Sequence, residues 1–169
     1  MVYGLLKTKN NEKKFIKMKQ LDVNDIKILR QLQKNASLSI EEISDRIALS
    51  RNACWRRIRR LEDDGIINKR VAIVNADALD LGQMVIVLIS TNSHDPKWLS
   101  LFRSAIAEMP EIMGAHRMSG DLDYILRVRV RDVRAYDKFY QRLISKVPIS
   151  NVSSSFVMED LKDSTELPL

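Results

Sequence analysis

The sequence predicts an α+β protein in two parts, three short helices followed by a βαββαβ unit. Three observations predict it. Apolar residues recur at helical spacing through residues 23–61, the pattern turns to strict alternation over 124–130, and Gly65, Pro110 and Pro148 stand where the periodic stretches stop. A chain of 169 residues can bury a sizeable core as one large domain or two small ones. Its 45% hydrophobic and 30% charged residues are ordinary for a globular protein. The longest apolar run, Met84 to Ile89, is far below the roughly 20 residues of a membrane helix. Residues 1–20 hold no apolar stretch of signal-peptide length, so the expected location is the cytoplasm. Cys54 is the single cysteine and His94 and His116 are the only histidines, which disfavours a disulfide or zinc framework. No metal, cofactor or membrane partner is expected.

The net charge of +6 is unevenly placed. Residues 1–20 carry Lys7, Lys9, Lys13, Lys14, Lys17 and Lys19 against Glu12 alone. The first 70 residues are basic and the remainder slightly acidic, an asymmetry that suggests a polyanion partner for the N-terminal part. The alternative is a solvated tail with no partner. Lacking periodicity, residues 1–20 read as a basic, disordered tail, and Met18 offers an alternative start.

The first helix is expected over Val23 to Lys34, capped by Asp22, with Ile28, Leu29 and Leu32 on one stripe. Ser39 and Glu42 have the spacing of a capping box before Ile43 and Ile47. Ser50 caps a third helix that ends near Asp64 at Gly65, with Cys54, Ile58 and Leu61 on one face. Ile66-Ile67 and Arg70 to Val74 read as two short strands, a wing. Only Ala48 and Leu49 separate the second and third helices, the helix-turn-helix arrangement in which the later helix enters the major groove.

At 100° per residue, Asn52, Trp55, Arg56 and Arg59 project away from the Cys54, Ile58 and Leu61 face, with Ser50 and Arg51 in or before the first turn. Arginine can fork onto guanine, asparagine can pair with adenine, and a ring can pack on a thymine methyl. Arg57 and Arg60, toward the flanks, suit phosphates or internal packing. The competing reading is a solvated charged face. The stretch from Arg51 to Arg60 contains no acidic residue, so i,i+4 pairing within it cannot neutralise the stripe. Double-stranded DNA is the expected partner.

After a passage without periodicity over 75–83, Met84 to Ser90 reads as a strand. Asp95 and Pro96 start a helix carrying Trp98, Leu99, Phe102 and Ile106. Ile112 to Met118 is a strand, Ser119-Gly120-Asp121 a turn, and Tyr124 to Val130 a strand with Tyr124, Leu126, Val128 and Val130 on one face. Asp132 caps a helix from Val133 to Lys146 with Tyr136, Phe139, Tyr140 and Leu143 inward, and Ser153 to Leu161 is the last strand. The order βαββαβ is ferredoxin-like, and its open sheet face invites oligomerisation. The expected divisions are 1–20 tail, 21–70 winged helix-turn-helix, 71–83 linker, 84–162 ferredoxin-like domain and 163–169 C-terminal tail.

The stretches LDVNDIKILRQL (21–32), LSRNACWRRIRRLEDDGII (49–67), SGDLDY (119–124) and FVMEDLK (156–162) resemble, in order and spacing, those of the Lrp/AsnC family of leucine-responsive and related transcription regulators. The resemblance covers about 140 of the 169 residues. It implies a winged helix-turn-helix followed by a RAM-type βαββαβ domain, homodimers that assemble further, often to octamers, and small effectors, usually amino acids, held between C-terminal domains. It places effector contacts at Ser119, Gly120, Asp121, Asp123, Tyr124 and Ser154. Such a turn can offer N–H groups to a carboxylate and an acidic oxygen to an ammonium. By its residues alone, the turn reads more readily as one that merely needs Gly120 for its φ angle, and it is the resemblance that favours the effector reading. Many members offer two threonines from the last strand where this chain has Val152 and Ser154, and the loop after Pro148 lacks a glycine.

The resulting expectation is a sequence-specific DNA-binding regulator with an amino-acid effector. One alternative is an architectural DNA-binding oligomer without effector response. A sirohaem-decarboxylase-like subunit is another, but such chains carry histidine and arginine groups where this one has SGDLDY. No Ser/His/Asp set or Gly-rich phosphate loop supports other catalysis, so no catalytic residue is expected. Cys54 reads as a small core residue, His116 as a core or sheet-surface residue, and Met109, Met113 and Met118 as core fillers.

Overall fold

The computed structural model describes residues 21–169 except His94; the lysine-rich tail and Met18 lie outside the described residues. The chain divides into two compact units, one reaching to Ala72 and including Ser164–Leu169, the other Ile73–Asp163.

The first unit is a three-helix cluster of α1 (Val23–Lys34), α2 (Ile40–Ile47) and α3 (Arg51–Asp63). Each start is written into the sequence. Asp22 accepts from the Asn24 and Asp25 amides at 2.9 and 3.0 Å, while Asp25 returns a carboxylate to the Asp22 amide. Ser39 and Glu42 form the reciprocal box, and Ser50 accepts from the Ala53 amide. Ile28, Leu29, Leu32, Leu38, Ile43, Ile47, Cys54, Ile58 and Leu61 form the buried cluster. Cys54 is therefore a core residue, and burial pushes its thiol pKa up, which keeps it protonated.

The end of α3 decides a correction. Gly65, at φ +71°, donates to the Glu62 carbonyl, and the Ile66 and Ile67 amides both donate to the Leu61 carbonyl at 2.9 and 3.0 Å. Their side chains pack on the helical core. The expected wing strands at 66–67 and 70–74 are not formed, because those amides are already spent closing the helix. A lone two-stranded ribbon would be marginal in any case. Val71, Ile73 and Val74 are exposed.

The second unit holds β1 (Gln83–Ser90), α4 (Pro96–Glu108), β2 (Ile112–Arg117), β3 (Tyr124–Val130), α5 (Val133–Lys146) and β4 (Asn151–Phe156), after a single 3-10 turn at Asp77–Leu79. The sheet order is β2-β3-β1-β4, and every pairing is antiparallel. This is the ferredoxin-like arrangement the element order predicts. Val85, Val87 and Ile89 of β1 and Tyr124, Leu126, Val128 and Val130 of β3 meet Trp98, Phe102 and Ala105 of α4 and Tyr136, Phe139 and Leu143 of α5. The opposite face carries Met84, Ile86, Leu88 and Ile125, half-buried and without a helix layer. Two expectations change. The last strand begins at Asn151 and stops at Phe156, because β1 offers no partner beyond the Val157 to Met84 bond. Met109 is buried, but Met113 and Met118 are 59% and 44% exposed, since edge strand β2 has no neighbour to cover them.

Candidate nucleic-acid interface and effector turn

The turn between α2 and α3 is made by Ala48, at φ +56°, with the Leu49 amide returning to the Ser44 carbonyl. It delivers α3 with Cys54, Ile58 and Leu61 inward. Ser50, Arg51, Asn52, Trp55, Arg56, Arg59 and Arg60 are exposed, Trp55 by 54%. An exposed tryptophan between arginines is a poor arrangement for a merely solvated face, because it leaves apolar area in water.

The charges on α3 are not equivalent. Arg51 pairs with Glu41 of α2, and Arg59 lies 3.8 Å from Glu62. Arg57 donates to Asp22 at 2.6 Å and Asp25 at 2.8 Å; Arg60 donates to Asp25 at 2.5 Å. Among the described residues, Arg56 has no carboxylate partner. The arginines thus find acids that sequence-local pairing lacks, mainly on α1 and α2. Of the eight positions expected to face DNA, Arg57 is turned inward and half-buried, and Arg60 is tied to a buried carboxylate. Asp22 is held below the usual carboxylate range by the Asp25 amide and then by Arg57, and Arg57 is raised in turn by Asp22 and Asp25.

Asp25, 1% exposed, is the residue sequence reasoning missed. A signal was present: Asp25 stands three, four and seven residues before Ile28, Leu29 and Leu32, which puts a carboxylate on the apolar face of α1. Such a group must be paired to be tolerated.

The effector turn lies at one end of the sheet. The Met118 amide donates to the Asp123 carbonyl, closing an exposed loop in which Gly120 takes φ +113°. Ser119, Gly120 and Asp121 are exposed there. Asp123 instead faces β1: its amide donates to Ile89, and its carboxylate accepts from the Thr91 amide at 2.8 Å. Tyr124 is a core residue packed on Phe102 and Trp98, with ring centroids at 4.6 and 5.6 Å. The loop before β4 is anchored to the same end, since the Trp98 indole donates to the Pro148 carbonyl and Ser150 accepts from the Asn92 amide. Ser154 is not brought to the turn. It pairs with Val87, two residues before Ile89 in β1, and its hydroxyl bonds that of Tyr136 on the helix side. Burial raises the Tyr136 pKa despite that bond.

Residues 21–68 match a family model described as winged helix-turn-helix DNA-binding, and residues 84–167 match the Lrp/AsnC ligand binding domain. The chain belongs to the Lrp/AsnC family of transcriptional regulators. It is 43% identical to the DNA-binding transcriptional activator DecR of Escherichia coli (strain K12) over 150 residues, 88% of this chain and 99% of that protein. A solved AsnC-family transcriptional regulator from Agrobacterium tumefaciens superposes with TM-score 0.84 at 45% identity, covering 88% of this chain and 97% of that one. A Neisseria meningitidis regulator solved as a complex with L-methionine superposes with TM-score 0.85 at 33% identity, covering 88% and 97%. As an Lrp/AsnC protein, the chain is a DNA-binding transcriptional regulator. No helix among the described residues is long and apolar enough to cross a membrane.

Proposed function

We propose that this Lrp/AsnC regulator reads DNA through Asn52, Trp55, Arg56 and Arg59, with Ser50 and Arg51 at the entry of the helix. The observation that carries the reading is the exposed stripe on α3, where Arg56 has no carboxylate partner among the described residues and Trp55 and Asn52 stand beside it. Arg57 and Arg60 act from behind that stripe rather than on it. Two-fold dimers would place two such helices on half-sites about one helical turn apart.

The effector reading rests on the exposed turn Ser119–Asp121, whose amides and Asp121 carboxylate suit the carboxylate and ammonium of an amino acid. Asp123 and Tyr124 shape that turn from behind, and Ser154 keeps its place through Tyr136. Assembly beyond the dimer, such as an octamer, would bring a second chain to the turn. The L-methionine held by the Neisseria relative makes methionine the first ligand to try.

Two measurements test the reading. Arg56→Ala should lose about 1–3 kcal/mol of discrimination between a selected and a scrambled duplex. Equal weakening on both would make Arg56 a phosphate contact. A thermal shift of the purified protein with each of the twenty amino acids should show one stabiliser, whose effect Asp121→Ala removes. A flat response to all twenty would favour an architectural role.

A further inference from the structure

We infer that Asp25, assisted by Asp22, is a specificity-determining residue of this regulator, holding Arg57 and Arg60 off the DNA backbone and fixing the pose of α3. The inference rests on the reading of α3 as the DNA-reading helix.

The geometry is a closed network of two carboxylates and two guanidinium groups. One Asp25 oxygen accepts from Arg57 at 2.8 Å, the other from Arg60 at 2.5 Å and from the Asp22 amide at 3.1 Å. One Asp22 oxygen takes the Asn24 and Asp25 amides, and the other takes Arg57 at 2.6 Å. Asp25 is 1% exposed, so its charge has no water to fall back on and must be paired, here with Arg57 and Arg60. Arg57 and Arg60, three residues apart, lie on one side of α3 and grip the first turn of α1. That grip resists rotation of α3 about its own axis, which would re-aim Asn52, Trp55 and Arg56.

Specificity follows from charge. Non-specific affinity grows with the number of phosphates neutralised, whatever the bases. Five arginines free on one helix would make α3 a general polycation. Two carboxylates, Asp22 at the cap of α1 and Asp25 in its first turn, withdraw two of them, lowering the sequence-blind contribution while leaving Arg56 and Asn52 to read bases. The carboxylates need touch no DNA to do this; they act through the arginines.

The test compares two duplexes, the best one from a selection on a random pool and a scrambled duplex of equal length. Affinities are measured across a salt series with the full-length protein. Asp25→Asn keeps the shape and removes the charge. Binding to the scrambled duplex should tighten, its log–log salt slope should steepen by about 0.9 for each arginine that reaches a phosphate, and the selected-to-scrambled ratio should fall several-fold. Arg60→Gln in the otherwise native chain leaves Asp25 paired through Arg57, so it folds even if Asp25→Asn does not. Its salt slope should match the native protein's. A slope reduced by about 0.9 in Arg60→Gln would show Arg60 already on a phosphate and overturn the inference. Equal weakening on both duplexes by Asp25→Asn, with unchanged slope, would leave Asp25 a structural pair only. A native protein that binds neither duplex would instead remove the reading of α3 itself.

Discussion

At the scale of residues, the helix-turn-helix depends on one backbone position with an unfavourable side chain. Ala48 sits in the left-handed region, where an L residue other than glycine is strained by about 1–2 kcal/mol. Its methyl is exposed, so no packing offsets the strain. Ala48→Gly should relieve it, less about 0.4–1 kcal/mol from the looser unfolded chain. The expected result in urea unfolding is a gain of up to about 1 kcal/mol. A loss would mean that the methyl contributes packing in the assembled protein. Asp25 is the opposite case, a side chain unfavourable where it stands until two arginines are counted with it.

At the scale of elements, helix starts carry the pH dependence. The carboxylates of Asp22, Glu42 and Asp95 lie below their ordinary values because each accepts hydrogen bonds at its helix start, chiefly from the Asp25 amide, the Ser39 amide and the Ser93 hydroxyl in turn. Depressed native values mean that the unfolded chain takes up protons first as the pH falls. The stabilisation is therefore complete above the ordinary carboxylate range, near pH 4, and is lost as the pH drops through the native values. The melting temperature should hold level from neutral to about pH 5 and fall below about pH 4. Asp95→Asn retains a capping side chain, and it should flatten that fall while leaving the neutral melting temperature nearly unchanged. A second element-scale feature is the C-terminal segment, which is part of the first unit. The Gln33 amide brackets the main chain of Leu167 in both directions, and Arg30 donates twice to the Leu169 main-chain oxygen. Arg30→Ala with Gln33→Ala should release the segment, read as fast hydrogen exchange at the Leu167 amide. Global stability should change by about 1–2 kcal/mol or less, because these exposed bonds trade against water.

At the scale of the molecule, the sheet has one finished face and one unfinished. Helices α4 and α5 cover the first. The second keeps Ile86, Leu88 and Ile125 half in water, flanked by Ser153 and Ser155. Ile86→Lys with Leu88→Lys should shift the protein toward monomer in analytical ultracentrifugation without loss of helical circular dichroism. A native protein already monomeric at micromolar concentration would remove that face as an assembly surface.

Helix positions, their caps and the strand faces were legible because each follows from neighbours within a turn or two. Ser39–Glu42, Ser50, and the alternation from Tyr124 to Val130 are local patterns, and local patterns survive folding. The exposed stripe of α3 was legible for the same reason, as was the family, whose motifs are contiguous stretches. The wing was misread because the amides of Ile66 and Ile67 had a nearer acceptor in Leu61 than any strand could offer. The pairing of Arg57 and Arg60 with Asp25, thirty-two and thirty-five residues away, was beyond any local pattern. So was the fate of the 119–124 motif, in which Asp123 and Tyr124 turn to the fold and leave Ser119, Gly120 and Asp121 to solvent. Local pattern in the chain is enough to specify the five α-helices and four sheet strands among the described residues, and the cationic third helix. Only the tertiary structure decided which of those charges remain available, because a charge is claimed by whichever partner folding brings within about 3 Å, however distant in the chain.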